Sequence, residues 1–157
     1  MKVKVNHKIE GAYGFILDLN GLKVGYTADT GFISTFKTPD GKEYSAFTKS
    51  IEKKEIEGPG KFNTKLMSVF RNVDILVFNL HDVEFRKHTK HNLYHSTVVD
   101  AIEILKDSKV KICFIEHFNP HGSLGPSFPL RVNEFIKKST ERETKIVSLN
   151  GLVSKLN

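Results

Sequence analysis

The sequence has one cysteine, no tryptophan and no long apolar run, and each shortage excludes a class of protein. Cys113 has no partner for an intrachain disulfide, which excludes a disulfide-bonded scaffold and predicts a reducing, cytoplasmic location. No apolar stretch approaches the roughly 20 residues of a membrane helix, and the alternating start Met1–Val5 lacks the apolar centre of a secretion signal. We therefore expect no membrane association.

The composition is that of a folded domain. The 157 residues are 39% hydrophobic and include 12 Phe, which excludes wholesale disorder and predicts one domain over residues 1–157. The 24 Lys+Arg exceed the 18 Asp+Glu, giving a net charge of +6. This excess permits a nucleotide or nucleic-acid substrate but does not by itself establish one.

The first third of the chain predicts β-structure. Val3 and Val5 begin an alternating strand, and Tyr13–Leu19 and Leu22–Tyr26 flank Asn20-Gly21. Because Asn-Gly accepts the positive φ angles of a tight turn, these two strands form a predicted hairpin.

Residues 32–72 have a less regular pattern. Pro39-Asp40-Gly41 predicts a turn, and Gly58-Pro59-Gly60 predicts a break in regular structure. Phe62–Arg71 has the apolar spacing of a short amphipathic helix.

The second half alternates predicted strands and helices, which indicates an α/β (α+β) fold. Val73–Leu80 is nearly all apolar and fits a strand buried on both faces. In the predicted helix Thr97–Lys106, Thr97 and Asp100 form a capping box. The remaining predicted elements are a strand at Lys109–Glu116, a helix at Pro129–Lys138, a strand at Lys145–Leu149 and a turn at Asn150-Gly151.

Four side chains that can carry chemistry stand at predicted strand ends or at a helix start: His7, Asp29, His95 and His117. Imidazole nitrogens and a carboxylate are competent ligands for Zn²⁺ or a similar ion. Simpler interpretations remain open at this point. His7 and His95 can be ordinary exposed histidines, Asp29 a turn residue, and His117 a half-buried histidine.

The segments that carry these residues resemble the metallo-β-lactamase superfamily, in particular its phosphodiesterase and ribonuclease Z-like branches. Asn6–Phe15 resembles the strand end with a metal-binding His. Tyr26–Gly31 is similar to the strand ending in Gly-Asp-Thr-Gly, with Ala28 in place of the first Gly. His95-Ser96-Thr97 resembles the His-Ser-Thr signature, and Phe114–Pro120 the segment that holds the last metal-binding His.

The resemblance implies a role for each residue. His7, Asp29 and His117 are metal ligands, with Asp29 shared between two divalent ions, most simply Zn²⁺ with Mn²⁺ as the other candidate. Asp29 and His95 are the catalytic residues, and His95 donates a proton to the leaving group. The implied activity is hydrolysis of a phosphodiester or related ester by metal-activated hydroxide.

One part of the family's pattern does not occur in these residues. The chain has no His-x-His-x-Asp-His string, so it resembles only the C-terminal half of the αββα sandwich, with residues 32–72 as a family-variable insertion. We therefore expect weak metal binding by the chain alone. The partner would be a chain carrying the N-terminal half-domain, or other copies in a homo-oligomer.

Two further hypotheses compete with the hydrolase. The chain can be a catalytically incomplete interaction or regulatory module that pairs with another chain. It can also be a nucleic-acid-binding protein that uses the basic cluster Lys87–His91, in which case its affinity falls steeply with salt.

Overall fold

The computed structural model describes residues 1–7, 11–46, 57–81, 94–116, 134, 138 and 144–148. Within them the chain forms a six-stranded sheet of order β1-β2-β3-β7-β8-β9, a three-stranded sheet of order β5-β4-β6, and two longer helices. The elements are β1 Lys2–Lys4, β2 Tyr13–Leu19, β3 Leu22–Tyr26, β4 Ile33–Lys37, β5 Glu43–Ser45, β6 Glu57–Phe62, α1 Thr64–Arg71, β7 Ile75–Asn79, α2 Val98–Lys106, β8 Ile112–Glu116 and β9 Lys145–Ser148.

The predicted hairpin is confirmed, with the predicted bounds. β2 and β3 pair antiparallel, and the two-residue turn leaves Leu19 opposite Leu22. Asn20 and Gly21 have φ angles of 55° and 92°, as a type I′ turn requires. The Gly21 N–H donates a hydrogen bond of 2.8 Å to the Asp18 carboxylate. The Asn-Gly pair therefore sets the register of this half of the sheet.

β3, β7, β8 and β9 run parallel to one another. The predicted capping box on α2 is confirmed, with Thr97 as the N-cap and Asp100 as its partner. One expectation was wrong in part, because β7 is not fully buried on both faces. Leu76 and Phe78 are fully buried, whereas Ile75 and Val77 on the opposite face are only half-buried.

The main hydrophobic core lies between one face of the large sheet and the two helices. α1 contributes Leu66, Met67 and Phe70 to it. Phe32, which follows the β2–β3 hairpin in the chain, stacks on Phe78 with ring centroids 5.8 Å apart. The segment 32–72 therefore supplies part of the core. Its role as a family-variable insertion stays a prediction.

The prediction of a break at Gly58-Pro59-Gly60 was wrong, since all three residues belong to β6. β6 lies at an edge of the small sheet, where a proline is tolerated because one side of the strand needs no donor. A Cβ at Gly60 would stand 2.3 Å from Ile33 Cγ2. Glycine is thus present here for close packing against β4, not to end a strand.

Several predictions fall outside the described residues. His117, the basic cluster Lys87–His91 and the turn at Asn150-Gly151 lie there entirely. Of the predicted helix Pro129–Lys138 only Glu134 and Lys138 are described, and both are helical. In the described part of the chain no helix is both long and apolar enough to span a membrane.

Replacing Gly60 with Ala should lower the free energy of unfolding by about 1–3 kcal/mol, because the added methyl group overlaps Ile33 and must displace it. Urea denaturation measures the change. Lys37→Ala, which truncates an exposed side chain on β4, should change stability by less than about 0.5 kcal/mol. Equal stability of the two variants would contradict the packing role of Gly60.

Candidate metal centre

His7, Asp29 and His95 converge at the edge of the large sheet where the parallel strands end. One ligand atom from each residue can be chosen so that all three lie within 4.8 Å of one another. His7 Nε2 is 3.3 Å from Asp29 Oδ2, and His95 Nδ1 is 2.7 Å from Asp29 Oδ1. The Asp29 carboxylate therefore stands between two imidazoles and offers one oxygen to each.

Asp29 is positioned by the end of β3. The buried Thr27 joins β3 to β7, since its N–H donates to Val77 O at 3.0 Å and its hydroxyl accepts from Asn79 N–H at 2.9 Å. Ala28 then adopts a φ of 55°, which turns the chain sharply. A left-handed backbone favours glycine, which is the residue that the resemblance leads one to expect at this place.

His7 reaches the site through hydrogen bonds made by Thr30 and Gly31. Asn6 N–H donates to the Thr30 hydroxyl at 2.9 Å, and that hydroxyl lies 3.0 Å from Asn6 O, to which it donates. Gly31 N–H also donates to Asn6 O, at 2.9 Å. Thr30 is fully buried. The turn that carries Asp29 therefore also fixes the residue directly before His7.

His95 is held by contacts around the end of β7. His81 N–H donates to Ser96 O at 3.1 Å, and the Ser96 hydroxyl donates to Asn79 O. Thr97 follows at once as the N-cap of α2. The His-Ser-Thr segment thus has three separate tasks: His95 faces Asp29, Ser96 binds the strand end, and Thr97 starts the helix.

His81 is a neighbour of the site that the sequence analysis did not assign. Its ring centroid is 4.2 Å from that of His95, with 31° between the ring planes. His81 comes two residues after the end of β7. The signal for it was therefore the same as for Asp29 and His117, a chemistry-bearing residue just after a buried strand.

The two contacts of Asp29 differ in a way that suggests different roles. Bonds of 2.0–2.1 Å to one tetrahedral Zn²⁺ place two ligand atoms about 3.3 Å apart. The 3.3 Å between His7 and Asp29 fits this spacing, whereas the 2.7 Å between His95 and Asp29 is a hydrogen-bond distance. His7 and Asp29 can share an ion, while His95 is oriented by the carboxylate.

The surroundings leave the three side chains partly open to solvent. Their side-chain exposures are 13% for His7, 27% for Asp29 and 20% for His95.

Tyr26, at the end of β3, has its pKa raised by burial and by the nearby Glu116 carboxylate. Burial raises the pKa of the Cys113 thiol to about 12, and Cys113 lies in the main core, outside the cluster of His7, Asp29 and His95.

The structure thus brings together His7, Asp29 and His95 of the four predicted residues. The fourth, His117, lies outside the described residues, directly after the last residue of β8. Its part in the site stays a prediction.

Removing the Thr30 hydroxyl should weaken both the fold and the site. Thr30→Val keeps the shape but leaves the buried Asn6 N–H without its acceptor, so the free energy of unfolding should fall by about 1–3 kcal/mol. Thr30→Ser retains the hydroxyl and should lose less. Urea denaturation and Zn²⁺ affinity of the two variants provide the comparison. A larger loss in Thr30→Ser than in Thr30→Val would show that the methyl group, not the hydrogen bond, matters.

Ala28→Gly should stabilise the protein, because the positive φ at this position is unfavourable for alanine. The expected gain in the free energy of unfolding is about 0.5–1 kcal/mol, after the greater backbone freedom of glycine in the unfolded chain is included. The control is Ala101→Gly inside α2, which should destabilise by about 1 kcal/mol. A loss of stability in both variants would contradict the strain at Ala28.

Comparison with known proteins supports the fold assignment. No protein-family model and no curated protein sequence matches the chain. Among solved structures, the metallo-beta-lactamase fold protein YhfI from Bacillus subtilis matches with a TM-score of 0.55 and 14% identity. The match covers 94% of this chain but only 44% of that protein, so the chain spans less than half of its solved neighbour's length. The chain therefore has a metallo-β-lactamase-like α+β fold.

Proposed function

We propose that this chain is part of a metal-dependent hydrolase that cleaves a phosphodiester or a related ester bond. The observation that carries the proposal is the contact of one carboxylate, Asp29, with His7 on one side and His95 on the other, at the sheet edge of a metallo-β-lactamase-like fold. Ligands clustered where parallel strands end are typical of sites in α/β proteins.

The donor set fits a divalent ion such as Zn²⁺ or Mn²⁺. His7 Nε2 supplies a neutral nitrogen and Asp29 Oδ2 a charged oxygen. His117 is the proposed further ligand. When bound, the metal supplies a Lewis acid and lowers the pKa of water.

Asp29 and His95 perform the proton chemistry in this proposal. The Asp29 Oδ1 contact at 2.7 Å fixes the His95 ring through Nδ1, which leaves Nε2 as the atom that can donate a proton. A carboxylate that binds one ring nitrogen of an imidazole fixes the tautomer and the orientation of the ring, as in the Asp-His pairs of hydrolases. His95 then protonates the oxygen of the leaving group.

The finer assignments belong to the same proposal. We infer that the chain corresponds to the C-terminal half of a ribonuclease Z-like or phosphodiesterase-like sandwich, with the His-x-His-x-Asp-His ligands supplied from outside residues 1–157. The net charge of +6 favours an anionic substrate such as a nucleotide or nucleic acid. The free, buried Cys113 agrees with a reducing, cytoplasmic setting.

Separate variants test the metal and proton roles. Losing a residue that only hydrogen-bonds to a metal ligand typically weakens metal affinity about 10–100-fold. Asp29→Ala and His7→Ala each remove a ligand and should weaken Zn²⁺ binding by more than that. His95→Ala should bind Zn²⁺ better than either. Competition with a chromophoric chelator measures these affinities.

The rate measurement uses bis(p-nitrophenyl) phosphate, with the full chain assayed alone and with a chain that carries the missing ligand string. His95→Ala should lower the rate about 10²–10⁴-fold, because it removes the group that protonates the oxygen of the leaving group.

Asp74→Ala is the matched control, since this carboxylate lies at the opposite end of β7 and binds Lys23 N–H and Lys111. It should leave Zn²⁺ affinity unchanged. Equal Zn²⁺ affinities of Asp29→Ala and Asp74→Ala would overturn the metal centre. Loss of Zn²⁺ in His95→Ala, to the extent seen in His7→Ala, would make His95 a ligand instead of the proton donor.

A further inference from the structure

His81 lies against the imidazole of His95, and the proposed function gives it no task. Its ring centroid is 4.2 Å from that of His95, and the two ring planes are 31° apart. A contact this short between rings that are this nearly parallel resembles the offset stacking that aromatic side chains favour. His81 therefore contacts the ring of the proposed proton donor.

The backbone of His81 is fixed on both sides of its peptide bond. The fully buried Leu80 extends the ladder beyond β7, because its N–H donates to Glu116 O at 2.9 Å. The His81 N–H then donates to Ser96 O at 3.1 Å. Ser96 is the residue directly after His95, so the two histidines stand on chain segments that are hydrogen-bonded to each other.

The His95 ring needs such a neighbour, because one hydrogen bond does not fix the plane of an imidazole. Asp29 Oδ1 lies 2.7 Å from His95 Nδ1, and the χ2 torsion of histidine has broad minima. The His7 ring lies 5.6 Å from the His95 ring, centroid to centroid, at 83°. His95 is thus held by a carboxylate at Nδ1 and by the rings of His7 and His81.

The geometry also separates His81 from the metal ligands. Among the described residues, the group whose ligand atoms all lie within 4.8 Å of one another consists of His7, Asp29 and His95, and His81 is not a member. His81 is half-buried, so replacing it removes less packing than replacing a core residue. Its contact with His95 is therefore the feature that connects it to the chemistry.

We propose that His81 is a positioning residue for His95, whose ring it packs against and whose Nε2 it keeps directed at the oxygen of the leaving group. This inference rests on the proposed function, in which His95 donates the proton. A general acid acts only within hydrogen-bond reach of the atom it protonates, so a small rotation of its ring lowers the rate. His81 itself binds neither the metal nor the substrate.

NMR of the histidine rings, in the full chain without added metal, tests the contact independently of any activity. The His95 signals are those absent from the His95→Ala spectrum. In mildly alkaline buffer, where imidazole is ordinarily neutral, the wild-type ring should carry its proton on Nδ1, the atom next to Asp29. His81→Ala should shift the signals toward the average of the two tautomers, because the ring then leaves Asp29 part of the time. His81→Phe keeps a flat ring and should preserve the wild-type tautomer.

Hydrolysis of bis(p-nitrophenyl) phosphate, measured together with the chain that carries the missing ligand string, tests the consequence. His81→Ala should lower kcat about 2–10-fold, the factor that corresponds to one aromatic pair, and leave KM unchanged. His81→Phe should recover most of this loss. In the His95→Ala background His81→Ala should have no further effect, because a positioning residue acts only through the group it positions.

Ala101→Gly is the control, since it lowers stability from within α2 and should leave the His95 tautomer unchanged. An Nδ1 tautomer that persists in full in His81→Ala would overturn the role of His81. So would a His81→Phe variant that behaves like His81→Ala, because the ring nitrogens and not the stacking would then act on His95.

Two further outcomes separate this inference from the function on which it rests. Loss of Zn²⁺ affinity in His81→Ala, to the extent seen in His7→Ala, would make His81 a ligand and overturn the positioning role. A wild-type chain that hydrolyses nothing even with the second chain would overturn the proposed function, while the tautomer comparison would still decide whether His81 orients His95.

Discussion

The hydroxyl of Thr30 joins two segments that are 24 residues apart, and the candidate site depends on that junction. It accepts from the N–H of Asn6 and donates toward its carbonyl, while Gly31 binds the same carbonyl. His7 follows Asn6 directly in the chain, and its Nε2 lies 3.3 Å from Asp29 Oδ2. A buried hydroxyl with all its partners in place fixes a geometry well, because any displacement leaves a polar group unsatisfied.

The other side of the site rests on similar contacts between strand ends. The Thr27 hydroxyl accepts from Asn79 N–H, and the Ser96 hydroxyl donates to Asn79 O. Asn79 therefore links the turn after β3 to the segment that carries His95. These side chains bind backbone groups at the place where the regular sheet ladder stops, so they extend its rigidity into the loops. Asp29 and His95 are consequently held by the sheet, although both lie beyond its strands.

Local sequence signals predicted the elements that are specified locally. Asn20-Gly21 fixed the hairpin because the turn requires positive φ, and the capping box of Thr97 and Asp100 marked the start of α2. Asp29 was predicted because a short polar residue before Thr-Gly ends a strand. Two outcomes depended on contacts between distant segments. Gly60 lies within a strand because the Ile33 side chain occupies the space that a larger residue would fill. His81 lies beside the site because it follows β7, which pairs with β3.

The placement of large and small side chains on the large sheet explains why the predicted burial of β7 on both faces was wrong in part. On β2 and β3 the helix-facing positions include Gly14 and Gly25, where Phe70 and Val73 fill the space a side chain would take. The larger Phe15, Leu17 and Leu22 point to the other side. The continuous run of apolar residues in β7 predicts that both faces of the strand are buried. It does not predict whether the residues that cover each face belong to the same chain. The core formed by the described residues therefore covers the face that carries Gly14 and Gly25, whereas Phe15, Leu17 and Leu22 on the other face remain exposed.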